Sequence, residues 1–200
     1  MTHLYLVRHG ASLEGMEDGK YIERGLSAEG VNQAERLRER LERTGEIAPD
    51  VLISSTLERA RETAEILSPA LKQPVTLDAE FEEWRNEDGS LSPETFSEMW
   101  RNAPEAAKPF FRFVPGCENW LEFSVRIQLA LNRVLLEYEG KTIALVTHGG
   151  VIQAAFVYFF GYGTSVMPRA GVDVKNCSIT HWFKPETRWI LERFNDYQHL

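Results

Sequence analysis

The chain has 200 residues, 43% of them hydrophobic, which suits one compact domain with its own core and excludes wholesale disorder. Its 22 basic and 30 acidic residues leave a net charge of −8, which argues against nucleic acid as the main partner because backbone phosphates call for a basic stripe. An anionic small molecule stays compatible, provided a site gathers arginines against the global sign.

The start, Met-Thr-His-Leu-Tyr-Leu-Val, shows no signal peptide. The longest apolar run, Ala154 to Phe160, falls far short of a membrane helix. Cys117 and Cys177 make neither a disulfide framework nor a zinc spacing. The expectation is a reduced, cytoplasmic setting with no membrane partner. A homodimer is left open.

Along the chain, His3 to Val7 reads as a buried strand that ends at Arg8-His9-Gly10. Ser27 caps a predicted helix with Glu29 in its first turn, Val31, Ala34, Leu37 and Leu41 on one face, and Gly45 as its stop. Val51 to Ile53 is a second strand, followed by Ser54-Ser55-Thr56 and a helix from about Leu57 to Leu71. Val75 to Leu77 gives a short third strand. Prolines at 93, 104, 109 and 115 break the stretch 78–115 into short pieces, a helical cap insertion. A long helix follows from Glu118 to Tyr138. Thr142 to Thr147 is a strand ending at His148-Gly149-Gly150, with an apolar helix to Phe160 behind it. Val172–Val174, Ile179–Phe183 and Trp189–Phe194 read as closing strands, the last two antiparallel around Lys184-Pro185-Glu186. Strands alternating with helices imply an α/β fold: a three-layer α/β/α sandwich with a mostly parallel central sheet, all within a single domain spanning 1–200.

In such a sheet, ligands bind outside the carboxyl ends of the strands. Three of those ends carry Arg8-His9-Gly10, Ser54-Ser55 with Arg59 and Arg61 just beyond, and Thr147-His148-Gly149. Two histidines with arginines in one crevice form a cationic pocket suited to a phosphate or carboxylate. Arg61 reads as a solvated helix face, since Glu58, Glu62 and Glu65 offer it partners. The five histidines show no metal-binding spacing, and no dinucleotide fingerprint follows the glycines, so neither metal nor cofactor is expected.

Leu6-Val7-Arg8-His9-Gly10-Ala11-Ser12 resembles the signature of the histidine phosphatase superfamily, the phosphoglycerate mutase-like proteins. Further segments match in family order: Leu26-Ser27-Ala28-Glu29-Gly30 with Gln33-Ala34, and Ser55-Thr56-Leu57-Glu58-Arg59-Ala60 with Thr63-Ala64. Gly116-Cys117-Glu118 with Arg126, Val146 to Ile152, and Asn176 to Ile179 follow in turn. The resemblance implies a phosphomonoester hydrolase for a small phosphorylated molecule, working through a phosphohistidine. It makes His9 the nucleophile and has Arg8, Arg59 and His148 hold the phosphoryl oxygens. Gly10, Ser12 and Gly149 complete the phosphate-binding set. It also implies a general acid after the third strand. In Ala79-Glu80-Phe81-Glu82-Glu83-Trp84 the family spacing fits Glu83 best, with Glu80 the runner-up.

Two departures bear on the activity. Gly15 sits near where many members carry an asparagine, and no extended substrate loop of the glycolytic mutases is visible. Hydrolysis is therefore favoured over mutase transfer. A protein phosphatase or binding regulator with the same pocket is the third reading. Aromatic residues crowd the cap, and Trp84 is expected at the pocket entrance while most others glue the insertion to the sheet.

Overall fold

The structure is a computed structural model that describes residues 1–163 and 170–200. Its main sheet has six strands: β1 (Thr2–Arg8), β4 (Val51–Ser54), β5 (Val75–Leu77), β6 (Thr142–Thr147), β7 (Ile179–Lys184) and β8 (Ile190–Asp196). They lie in the order β5-β4-β6-β1-β7-β8. The pairings β5–β4, β4–β6 and β6–β1 are parallel, whereas β7 and β8 add on antiparallel.

Strand side chains alternate between faces, and each strand's apolar residues divide accordingly. Leu4 and Leu6 of β1, with Ile143 and Leu145 of β6, face helices α4 (Trp120–Glu137) and α5 (Gly149–Phe160). Tyr5 and Val7, with Ala144 and Val146, face α1 (Ala28–Thr44) and α2 (Glu58–Leu71) on the other side. Near-continuous apolar runs are what a sheet covered on both faces requires. The helix after β1 and the helix after β6 thus lie on opposite faces of two neighbouring parallel strands. This is a topological switch point, and a crevice opens there.

Local signals set the helix ends. Ser27 Oγ accepts from the Gly30 N–H at 3.1 Å, and Gly45 closes α1 in the left-handed region at φ 61°. Asn119 and Glu122 form a reciprocal capping box at the start of α4. Between β5 and α4, the insertion holds one α-helix, α3 (Pro93–Asn102), and two 3-10 turns, Ala79–Phe81 and Glu105–Phe110. No helix among the described residues is long and apolar enough to cross a membrane.

Three expectations from the sequence are corrected. Val31 lies exposed, because the buried stripe of α1 runs through Gly30, Ala34, Leu37 and Leu41 instead. Gly30 holds that stripe because a Cβ there would stand 2.0 Å from the Ala11 carbonyl oxygen. Val172–Val174 is not a strand; its Val174 carbonyl accepts from the Arg8 guanidinium instead of joining a ladder. The third is a hairpin outside the expected elements: β2 (Ser12–Glu17) pairs antiparallel with β3 (Lys20–Leu26). Its turn is Asp18-Gly19, with φ of 50° and 78°. An Asp-Gly pair between strand-like segments is a strong hairpin signal, so the feature was readable in the sequence.

Candidate active site

The parallel register of β1 and β6 pairs Arg8 with Thr147, so the next residues, His9 and His148, leave the sheet side by side. The His9 N–H donates to the Thr147 carbonyl at 2.9 Å, and the two imidazole rings lie 5.0 Å apart. His9 is 5% exposed and His148 fully buried.

The protonation of His9 follows from its neighbours. Nδ1 lies 2.6 Å from the Gly10 carbonyl oxygen, which can only accept, so Nδ1 carries the hydrogen. Nε2 therefore carries the ring's one free lone pair, and it accepts from Arg59 Nε at 3.1 Å. Burial, then the nearby Arg59 and Arg8 guanidinium groups, push the pKa of His9 from 6.5 down to about 3, against the opposing Gly10 hydrogen bond. Burial and the same cations lower His148 still more clearly, and its Nε2 shares a 2.8 Å hydrogen bond with Ser55 Oγ. Both rings are neutral at ordinary pH. Arg8 Nε and His148 Nδ1 are buried with no hydrogen-bond partner among the described residues. Unmet polar groups beside a cavity are what an anion would satisfy.

Arg59 stands one residue into α2, and Glu23 of β3 fixes it there. Glu23 accepts from Arg59 Nη1 and from the Arg59 backbone N–H, each at 2.6 Å. That second bond serves an N-terminal amide of α2, a helix whose own cap residue, Leu57, supplies no side-chain acceptor. Glu83 is anchored by backbone donors: Trp84 N–H at 2.9 Å and Gly150 N–H at 3.0 Å. Behind it, Arg126 donates to the carbonyls of Glu80, Glu82 and Glu83 and is itself paired with Glu118 at 2.7 Å. Arg126 is buried, so one guanidinium organises the whole turn that presents Glu83.

A cavity of about 600 Å³ is lined by Arg8, His9, Ser12, Glu23, Arg59 and Glu83, among others. Gly10 lies behind it, its N–H donating to Thr63 Oγ1 at 3.1 Å. A Cβ on Gly10 would stand 2.5 Å from the Gly30 carbonyl oxygen, so this glycine admits helix α1 to the loop. His148 and Gly149 also stand back from the cavity wall, Gly149 with its Cα face toward Arg8. Glu80 is exposed and does not line the cavity, whereas Glu83 does. Arg61 pairs with Glu58 and Glu65 on the solvated face of α2; Glu62 turns instead to the Leu26 N–H. Glu23 is a contact of the site outside the sequence expectations, and Thr63 and Arg126, which stand in the family-like segments, have no role among those expectations. Among the described residues, no trio of histidine, cysteine or carboxylate side chains is arranged to hold a metal ion.

Residues 4–197 match the family model of the histidine phosphatase superfamily, branch 1. The chain belongs to that superfamily and is an enzyme of phosphoryl chemistry on small phosphorylated molecules. Among its relatives, a metal-independent phosphoserine phosphatase of Arabidopsis thaliana is 28% identical over 209 residues, spanning 100% of this chain and 84% of its own length. A probable phosphoglycerate mutase of Proteus mirabilis is 30% identical over 220 residues, spanning 100% of this chain and 95% of its own length. In fold, the chain is similar to a mycobacterial glucosyl-3-phosphoglycerate phosphatase solved with VO3, at a TM-score of 0.75 and 24% identity over 96% of this chain and 98% of that one.

Proposed function

We propose that the protein hydrolyses a phosphomonoester in two steps through a phosphohistidine on His9. The observation that carries this reading is the state of His9: buried, neutral, at the cavity wall, its proton committed to Gly10 and its Nε2 lone pair unprotonated and met by the Arg59 Nε–H. A neutral imidazole nitrogen is a nucleophile for phosphorus. As Nε2 attacks, the N–P bond forms and the ester P–O bond breaks. Arg59 and Arg8 hold the phosphoryl oxygens, where charge must be met, and His148 supports them from behind. Arg59 then exchanges its bond to Nε2 for one to a phosphoryl oxygen.

The leaving alkoxide takes a proton from Glu83. In the second step Glu83 accepts a proton from water, the water oxygen bonds to phosphorus, and the N–P bond breaks. Atoms and charges balance without any co-reactant. Ser12 at the cavity wall contributes a hydroxyl contact to the bound phosphate. Hydrolysis is preferred over mutase transfer because the sequence carries no extended substrate loop of the glycolytic mutases.

The test is a rapid acid-free quench of enzyme with radiolabelled substrate. Expected is an acid-labile, base-stable phosphate on His9, absent in His9→Ala, together with turnover that persists in EDTA and is inhibited by vanadate, an oxyanion that the mycobacterial structure contains. Label on no histidine, or a His9→Ala variant keeping about a tenth of wild-type activity, would overturn the mechanism. Incubation with 3-phosphoglycerate, with and without a bisphosphorylated primer, separates hydrolysis from mutase transfer.

A further inference from the structure

A second hollow of about 420 Å³ lies beside the catalytic cavity, within the size range of small-molecule sites. The two share Glu83, Trp84, Asn86 and Phe96 as common walls, and only the second reaches Trp100 and Gln153. We propose that this hollow is the leaving-group subsite, and that it takes a phosphomonoester whose alcohol carries an aromatic ring close to the ester oxygen. The inference rests on the hydrolytic reading above and goes on to name its substrate class.

The position of Glu83 gives the direction. An acid that protonates the leaving oxygen must stand beside it, so the carbon body of the ester lies on the Glu83 side of phosphorus. Glu83 is pinned between the Trp84 and Gly150 amides, at the boundary of the two hollows. The catalytic cavity itself has a mixed lining, with Glu23, Glu82, Arg85 and Glu87 set beside Tyr21, Ile22 and Leu91, whereas the second hollow is bordered mainly by aromatic rings. An apolar body gains by turning to that hollow.

The aromatic residues around the hollow divide into two groups. Phe113 of the insertion and Trp120 and Phe123 of α4 are buried. Trp84, Phe96 and Trp100 are half-buried: Trp84 stacks on Phe123, Phe96 stacks on Phe113, and Trp100 meets Trp84 edge-on, so that these three border the hollow together with Trp120 and Phe123. Rigid rings held this way offer faces and edges to a further ring at little entropic cost. Gln153 and Asn86 border the same space, and neither side-chain amide makes a hydrogen bond among the described residues. They give a ring with polar edges something to bond.

The test compares benzyl phosphate with ethyl phosphate, whose alcohols are equally poor leaving groups, so the ratio of kcat/KM reports the ring. Expected is a preference of about tenfold or more for the benzyl ester, the scale on which a buried aromatic contact is felt. Gln153→Trp, which fills the hollow from α5, and Trp100→Ala, which removes a wall, should each collapse the ratio. A wild-type ratio near unity, or one that Gln153→Trp leaves intact, overturns the proposal even if Trp100→Ala fails to fold. Tryptophan fluorescence on titration with benzylphosphonate reads occupancy without turnover, since Trp84, Trp100 and Trp120 surround the space. Quenching with no hydrolysis of either ester would uphold the subsite and sink the hydrolytic reading. Hydrolysis without quenching would do the reverse.

Discussion

Glu23 grips Arg59 at two points, one carboxylate oxygen on Nη1 and the other on the backbone N–H, both at 2.6 Å. The pair is largely withdrawn from solvent, with side-chain exposures of 15% for Arg59 and 18% for Glu23. A carboxylate placed beside an arginine proposed to hold phosphate looks unhelpful, yet it fixes the guanidinium at one end. With Nη1 and the amide both tied down, Nε is turned to His9.

Removing this grip should cost both order and turnover. Glu23→Ala leaves an N-terminal amide of α2 unmet and frees the guanidinium, so a fall of about 1 kcal/mol in stability is expected. A loss of about tenfold or more in kcat/KM should accompany it, on the scale of a misplaced transition-state contact. Glu23→Gln keeps an acceptor for the amide and should recover most of the stability. Thermal unfolding and steady-state kinetics on the three proteins decide the matter; wild-type kcat/KM in the alanine variant would rule the positioning role out.

The depressed pKa of His9 sets a pH dependence whose sign can be worked out. In the folded protein His9 titrates at about 3, and its ordinary value is 6.5. Between those values the unfolded chain binds a proton that the folded one does not, so stability rises with pH there. The stabilisation is whole above the ordinary value and drains as pH falls, by about 1.4 kcal/mol per pH unit for one such group. Denaturant melts from pH 7 to 5 should show this slope in the wild type and a shallower one in His9→Asn. The acid limb of kcat/KM should likewise show no loss from His9 near pH 6.5. Parallel stability slopes in the two proteins would mean that His9 titrates normally.

The parts legible in the sequence were those with strong local signals. The strands at the centre of the sheet are apolar runs, and α1, α4 and α5 carry a side-chain cap or a glycine stop. Helix α2 has neither and was bounded by its apolar spacing and by Pro74 beyond its end. So β1, β4, β6 and their helices were readable within a residue or two. Arg8, His9 and Arg59 were readable as one cluster because fold topology brings strand ends together, and His148 follows from the register. Glu23 was not, since its strand alternates polar and apolar residues weakly and half-buried, and its partner lies in a different element. The same holds for Arg126, which acts on three carbonyls more than forty residues away in sequence. Long-range side-chain to backbone bonds leave no periodic trace. Val172–Val174 misled for the opposite reason, being apolar enough for a strand while its backbone serves Arg8.

Gly150 should be intolerant of even one methyl group. A Cβ there would stand 2.1 Å from Glu83 Oε1, inside the hydrogen bond that holds the carboxylate. Alanine is otherwise a better helix former than glycine, so Gly150→Ala has no reason to weaken α5 itself. Expected is a near-normal melting temperature with kcat on an alkyl phosphate reduced about tenfold or more, the low end of a lost general acid. Activity retained in full would show that Glu83 moves aside without consequence.

The separate contributions of Glu83 and Glu80 can be told apart by leaving group. Glu83 lines the cavity with both oxygens on backbone N–H groups; Glu80 is exposed and away from it, its carbonyl alone tied to Arg126. If Glu83 is the proton donor, Glu83→Gln removes the proton and keeps the shape, including an amide oxygen for one of the two N–H groups. Alkyl phosphates, whose alkoxides leave only with a proton, should slow by about 10²–10⁴-fold, the usual worth of general acid catalysis. p-Nitrophenyl phosphate needs little protonation and should slow far less. Glu80→Gln should leave both rates close to wild type. The measurement is kcat for each ester in the three proteins, with burst kinetics to establish that phosphorylation of the enzyme is the step observed. Equal slowing of alkyl and aryl esters in Glu83→Gln would strip it of the acid role, and leaving-group-dependent slowing in Glu80→Gln would move that role to Glu80.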